Sequence, residues 1–543
     1  MKRSVACTGI MLLLAACSSV SPTPSATPGA ADDQVLRLWY EESGSLDPSG
    51  DPFTDVTQNL LVSSLTGLDE GLNTVPAIAE AWDVTDEGRH ITFHLRGARY
   101  SNGEPIVAAD FVYGWRRLLD PREPRGLNYI LADVAGAADL LAVSTDSPPG
   151  DEVIDALLGG LGVSAPDERT LEVDLVRPAA WFVAVVSSPV TAPIPESWIT
   201  QPGATEAGAY VSSGPYVLTE WVHDARRTFE PNPMWWGQPS KLTRIEMRTF
   251  ASNSAAVDAY RRGELDVLSL AEGIGQAQGL EAQARPSPGG FTLWVGFDRL
   301  KEGSPTAASS ELRRALSLAV DRETLIEILR FDGPVAGSLI PPGMPGHDPS
   351  LESVFDPAEA RLSLDRALDD LGLTSADQLD ISMVYHEFTE TAPAGAGYLK
   401  EQWRTLLGIN VEVVGLEVDA YVEQQTRHDF DLDWNGWIAD YPHPQNYLEP
   451  TYTCNGLANL YGYCNPTFDQ LLDQAARTGD VEDQLDLYAD AQRLVVDDPV
   501  AIFLVWQAGQ VLVAPWVEGL VLTPMDEYPG VLFFNQVSIT PRD

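Results

Sequence analysis

A chain of 543 residues is too long for one hydrophobic core and is expected to fold as two or three structural units. Its 44% hydrophobic and 21% charged residues are ordinary for a soluble globular protein, and 79 acids against 34 bases give a net charge of −45. That surplus argues against nucleic acid and anionic lipid headgroups as partners, because both demand basic surfaces.

The chain opens with Lys2 and Arg3, followed by the apolar run Ile10–Ala16. This reads as a signal peptide, too short to span a bilayer as a mature helix. Its ending, Leu14-Ala15-Ala16-Cys17, resembles the lipobox of bacterial lipoproteins. The resemblance implies removal of residues 1–16 and lipidation of Cys17; an ordinary signal peptide with a chance cysteine is the alternative. Residues 17–34 are rich in Ser, Pro, Thr and Ala and read as a flexible tether. Cys454 and Cys464 then remain in the folded body. Two cysteines close in sequence outside the cytoplasm are expected to form a disulfide. The alternative, half of a metal site, lacks a second Cys/His pair at suitable spacing.

Residues 34–40 alternate like a strand, and residues 55–65 have helical spacing. Residues 75–82 and 91–96 read as strands around an acidic turn, and Ala108–Leu119 as an amphipathic helix closed by Asp120-Pro121. A strand is expected over residues 169–176, a helix over 178–186, and a strand from Ser213 to Trp221. A helix over 255–262 precedes a short buried strand over 263–267, and the aromatic, β-branched run 291–297 reads as a strand crossing between lobes. From residue 311 the texture turns to α/β, with helices over 311–320 and 321–329 and a rigid surface loop over 341–346. Residues 381–385, 396–407 and 409–414 form a β-α-β unit with Gly408 as helix stop. Helices over 468–476 and 482–496 lead to a returning strand over 501–505.

Between these lies Thr426–Pro450. Asp429, Asp431 and Asp433 alternate there with Phe430, Leu432 and Trp434, the period-two pattern of a half-buried strand. After Gly436 and Trp437, Asp440 falls where the strand yields to a proline-stiffened loop. A carboxylate among aromatics at a strand end suits capture of a cation; a loop acid beside core tryptophans is the plainer alternative. Catalysis finds no support: there is no Gly-x-Ser-x-Gly elbow, no His-Glu-x-x-His and no phosphate-cradling loop. His443 sits between prolines with no evident partner. The chain reads as a non-enzyme that needs no cofactor and no metal.

The step Thr426-Arg427-His428, the aspartate-bearing strand, Gly436-Trp437 and Ala439-Asp440-Tyr441 resemble, in that order, the ligand-binding segment of oligopeptide-binding proteins serving peptide ABC transporters. Residues 75–121, ending Asp110-Phe111-Val112-Tyr113-Gly114-Trp115, resemble the family's signature region. The strand opened by Gly214-Pro215-Tyr216 and the later Asn232-Pro233 step also match. The resemblance covers the chain from about Val35 onward and places it among the solute-binding proteins of the peptide/nickel family, family 5.

That membership implies an α/β fold of the two-lobed periplasmic-binding-protein type (type II, large three-domain cluster) with a hinge between lobes. Domain I would comprise residues 35–76, 207–296 and 507–543, domain II residues 77–206 and domain III residues 297–506. It implies an oligopeptide ligand, a partner permease with its ATPase, a monomer outside the cytoplasmic membrane, and membrane contact through the lipid only. The residues it places at the ligand are Asp440 on the peptide α-ammonium, with Tyr129, Trp294, Arg427, Gly436, Trp437 and Trp506. Each aromatic outside the matched motif has core packing as its alternative. Arg427, suited to a C-terminal carboxylate, has a surface salt bridge to Asp429 or Asp431. Trp434 replaces a second arginine of some relatives, and the region 387–392 lacks their histidine, so C-terminal capture is the weaker expectation. A non-peptide solute such as an oligosaccharide or metal chelate, and a signalling receptor, are the alternatives.

Overall fold

The structure, a computed structural model, describes residues 34–542 apart from 43–44, 51–56, 145–146, 271–276, 388–390, 457 and 527. The leader, Cys17 and the tether therefore lie outside the described residues. The fold is a two-lobed α/β arrangement built on one ten-stranded sheet that runs through both lobes. From one edge the strands are Val411–Leu416, Ile381–His386, Leu432–Ile438, Ala284–Phe297 and Ala501–Val513. Val267–Leu270, Val35–Trp39, Arg244–Arg248, Arg226–Pro231 and Tyr216–Val222 follow. A separate antiparallel sheet orders Ala79–Thr85, His90–Leu95, Thr170–Asp174 and Val163–Asp167.

Two long antiparallel strands, Ala284–Phe297 and Ala501–Val513, carry the chain between the lobes. Their outer halves pair with Val267–Leu270 and with Leu432–Ile438, so each strand belongs to both lobes. Their register shifts between Pro288 and Thr292. Gly289 lies in that interval, where a Cβ would come within 2.4 Å of the Gln507 carbonyl oxygen, so only glycine admits the approach.

The hydrophobic interior follows this plan. One buried cluster draws on residues 36–62, 192–277 and 511–539, and a second on residues 65–190 together with Tyr441 and Ala476. Two adjoining clusters fill the lobe made by residues 293–506, joined in one of them by Leu72.

Local chemistry explains the element ends. Asp321 accepts from the Thr324 N–H and caps the helix Arg322–Leu329. The helix Ala392–Leu407 stops at Gly408, which takes φ of 71° as a left-handed cap. Ile381–His386 and Val411–Leu416 pair in parallel around that helix, the β-α-β unit expected.

Several elements depart from expectation. Of the helix expected over 55–65, the described part is only Gln58–Leu61, because the chain turns extended at Val62 and pairs Thr66–Leu68 with Thr74–Pro76. The expected surface loop over 341–346 is half-buried, since Met344 packs into the interior. The acids of the 429–434 run do not all face solvent: Asp431 and Asp433 are both fully buried. Asp431 is held by Lys301 at 2.7 Å, Ser304 at 2.5 Å and the Ser382 N–H at 2.9 Å. Asp433 accepts from Tyr421 at 2.5 Å and Gln425 at 2.9 Å. With Ile381–His386 on one flank and Ala284–Phe297 on the other, this strand end has no solvent face, and period two could not reveal that.

Candidate functional site

The strand Leu432–Ile438 ends at a buried Ala439, and Asp440 follows at 9% exposure. Its position is fixed by Asn446, in the first part of the helix Pro444–Tyr452. The Asn446 amide oxygen accepts the Asp440 N–H at 2.9 Å, and its NH2 donates to Asp440 Oδ2 at 2.9 Å. The same oxygen accepts from Trp437 Nε1 at 3.3 Å, so one amide sets both the carboxylate and the indole. Pro444 at the first helical position and His443 before it start that helix. His443 is not without partners: Nδ1 accepts the Gln445 N–H and Nε2 faces Gln484 Oε1, both at 3.2 Å. Burial drives its pKa down to about 4, so the neutral ring that caps the helix persists at neutral pH.

A cavity of about 780 Å³ opens in front of Asp440, between the 65–190 unit and the 293–506 lobe. Tyr129 and Asp133 line it from one side, Trp437, Asp440 and Glu449 from the other. The Tyr129 hydroxyl donates to Asp440 Oδ1 at 2.8 Å across the gap. Arg177 makes a second crossing, bonding Asp133 Oδ1 through Nε at 2.7 Å and pairing with Glu449. Burial alone would lower the Arg177 pKa, but Asp133 and Glu449 outweigh it and leave it raised. Glu449 is raised by burial despite Arg177, because one guanidinium is shared between two acids. Burial and then the charges of Asp133 and Asp440 hold the Tyr441 phenol protonated. A smaller cavity of about 300 Å³ shares Asp440 and Tyr441 and is also lined by Asn59, Ile438 and Asp526. Asp440 thus stands between two openings.

Of the residues singled out from sequence, Tyr129, Trp437 and Asp440 meet at the cavity. The others do not. Arg427 ends the helix Val418–Arg427, is 71% exposed, and pairs with Glu423, one turn back. Its side chain lines neither opening. Trp294 is buried and donates to the Tyr461 hydroxyl at 3.3 Å; Trp506 is buried and donates to the Ser338 carbonyl at 3.0 Å. Both are core residues of the crossover strands. Gly436 serves packing, since a Cβ there would sit 2.1 Å from the Phe291 ring.

Asn446, Asp133, Arg177 and Glu449 escaped sequence reasoning. Asn446 gave no capping signal, because it is the third residue of a helix that His443 caps and its side chain turns back to Trp437 and Asp440 instead. Arg177 and its acids left none, because they meet only through the fold. Among the described residues no group of three or more metal-binding side chains occurs, and no helix is long and apolar enough to cross a membrane. Cys454 and Cys464 are joined as a disulfide, and the loop between them contributes Asn455, Gly456 and Ala458 to the cavity wall.

Residues 73–459 match the family described as bacterial extracellular solute-binding proteins, family 5 Middle. The chain is 28% identical to the periplasmic oligopeptide-binding protein OppA of Escherichia coli (strain K12), over 95% of each. It is also 28% identical to the probable deoxycholate-binding periplasmic protein YgiS of the same organism, over 95% of this chain and 95% of that one. OppA of Bacillus subtilis (strain 168) is 27% identical over 87% of this chain and 84% of its own. Among solved structures, the unliganded open form of the murein tripeptide-binding protein MppA superposes with a TM-score of 0.79 at 24% identity, covering 94% of this chain and 98% of that one. OppA of Burkholderia pseudomallei superposes at 0.66 and 25% identity, covering 94% of this chain and all of that one.

Proposed function

The chain belongs to the bacterial extracellular solute-binding proteins, family 5, and from that premise we propose that it captures oligopeptides between its lobes for delivery to an ABC transporter. The observation that carries this reading is Asp440, a buried carboxylate at the mouth of the inter-lobe cavity, at the end of a strand with an open edge. Beyond Asp433 the strand Leu432–Ile438 is paired on one side only among the described residues. An extended peptide can add its backbone to such an edge, which gives affinity independent of side chains, while Asp440 takes the α-ammonium. The lobes would close on the ligand by bending at the crossover strands near Gly289. No bond is made or broken; the partner ATPase supplies the energy of transport. The four buried clusters support a division into three domains, the first discontinuous, with its switches near residues 62–65 and 190–192.

Calorimetric titration of free and N-acetylated peptide against wild type and Asp440→Asn tests the reading. A charge-assisted hydrogen bond contributes roughly 1.5–3 kcal/mol, so either change should cost on the order of tenfold to a hundredfold. Both together should cost much less than their sum, because they remove one interaction. Additive losses, or equal binding of both peptides by wild type, would assign Asp440 to the fold.

A second reading, a non-peptide solute, is favoured by the similarity to a probable deoxycholate-binding relative at the same 28% identity. A ligand without an amine would bind wild type and Asp440→Asn alike. The Leu14-Ala15-Ala16-Cys17 ending supports a lipid anchor on the outer face of the cytoplasmic membrane. Cys17→Ser should then move the protein from the membrane fraction into the medium; retention on the membrane refutes the anchor.

A further inference from the structure

The two openings that share Asp440 differ in character. The larger, of about 780 Å³, surrounds it with Tyr129, Asp133, Arg177 and Glu449. The smaller, of about 300 Å³, presents Leu68, Ile438, Met525 and Leu532 instead, and no basic side chain among the described residues. These four converge from three separate stretches of the chain. Ile438 is 45% exposed and the other three are only half-buried, so apolar surface lines the opening without being covered.

The strand sets the openings on opposite faces. Trp437 lines the larger and Ile438 the smaller, as successive side chains of a strand must. Asp526, the other acid of the smaller opening, is engaged by its own loop: Oδ2 accepts the Thr523 N–H at 2.6 Å and Oδ1 the Leu532 N–H at 3.5 Å. The opening therefore suits an apolar group better than a cation. Nor is it closed at the back. Asn59, Leu68, Ser187, Pro189 and Leu532 also line a cavity of about 590 Å³, so a long or aromatic side chain has room to continue.

The first α-carbon of a peptide carries the ammonium, the side chain and the onward chain. With the ammonium on Asp440, the other two must leave in different directions. The onward chain has amides to satisfy, which the strand edge at Trp437 and the polar cavity beside it can do. Resting on the peptide-binding reading, we propose that Leu68, Ile438, Met525 and Leu532 form the pocket for the ligand's first side chain and select peptides with a large apolar N-terminal residue. Leucine or phenylalanine there displaces water from that apolar surface. Glutamate would meet Asp440 and Asp526 with no cation to offset them.

The test is isothermal titration with Ala-Ala-Ala, Leu-Ala-Ala, Ala-Leu-Ala, Lys-Ala-Ala and Glu-Ala-Ala. Leu-Ala-Ala should bind wild type roughly tenfold tighter than Ala-Ala-Ala, the gain from partly burying the extra carbons of leucine. Its binding should also show the more negative heat-capacity change. Ala-Leu-Ala should gain markedly less, because its leucine lies one residue further from Asp440, and Glu-Ala-Ala should be the weakest. Ile438→Thr keeps a β-branched side chain at an exposed strand position, and Met525→Gln keeps an unbranched one of similar length. In each the preference for Leu-Ala-Ala should fall to about threefold or less. The two lie in different segments, so poor folding of one leaves the other to decide. Equal binding of Leu-Ala-Ala and Ala-Ala-Ala, an equal gain for Ala-Leu-Ala, tighter binding of Lys-Ala-Ala, or a preference unchanged in both variants overturns this inference alone. Failure of wild type to bind any of these peptides sinks the peptide reading and this inference with it.

Discussion

The Tyr129 hydroxyl donates a 2.8 Å hydrogen bond to Asp440 Oδ1, joining side chains 311 residues apart on opposite walls of the cleft. A carboxylate so held keeps one rotamer and loses little entropy when a cation arrives. Tyr129→Phe removes the donor and leaves the ring. Affinity for a free-amine peptide should fall about two- to tenfold in calorimetry, the worth of one hydrogen bond. A loss as large as that of Asp440→Asn would mean that the phenol touches the ligand itself.

Arg177 is the one cation shared by Asp133 and Glu449. Arg177→Gln would leave a mostly buried Glu449 without its counter-charge, a loss of about 1–3 kcal/mol in urea unfolding after allowance for the partial exposure of the arginine. The sign of its pH dependence follows from Glu449, whose folded pKa is already above the ordinary carboxylate range through burial. Losing Arg177 raises it further, so the native state binds the proton more tightly than the unfolded chain does. The deficit should therefore be largest near neutral pH and shrink as pH falls toward 5. A deficit that grows on acidification refutes this account.

Reducing the Cys454–Cys464 bond, or replacing both residues by Ser, frees a loop that forms part of the cavity wall. In the chain-entropy model a loop this short contributes about 2–3 kcal/mol. Thermal unfolding with and without reductant should show the drop, and peptide affinity should fall with it. An unchanged melting temperature would mean that the loop is held by its own packing.

Asp526 lines the smaller opening, and burial pushes its carboxyl up to about 6 against three backbone N–H groups that lower it. An acid whose folded pKa lies above its unfolded value stabilises the fold when protonated. Its contribution is present below about pH 4 and is lost as pH rises to about 6. Asp526→Asn should flatten that segment of the stability–pH curve measured by urea unfolding. A curve that keeps the wild-type slope would show that another group titrates there.

The β-α-β unit around Gly408, the helix Ala108–Leu119 and the strand leading to Asp440 were legible because each depends on neighbours in sequence. So was the place of Asp440 just beyond a strand end, because a run of aromatics, glycine and an acid before prolines is a local pattern. Trp294, Trp506 and Gly436 were not legible in the same way. A tryptophan in a core and one in a cleft have the same local pattern, and only the strand pairing puts Trp294 against Tyr461 and Trp506 against Ser338. Gly436 looks like a ligand-facing gap until the Phe291 ring is seen filling it.

By itself, then, the sequence determined the period of elements such as Ala108–Leu119 and Ala392–Leu407, the glycine that stops the latter, and the acidic surplus of the whole chain. Tertiary structure alone decided which acids are buried, that Arg427 faces solvent, and that Tyr129, Arg177 and Asp440 share one cleft. The physical reason is range: backbone propensity and capping act over a few residues, whereas desolvation and Coulomb attraction depend on distance in space. Two walls drawn from opposite ends of the chain set those distances, and no pattern along the chain encodes them.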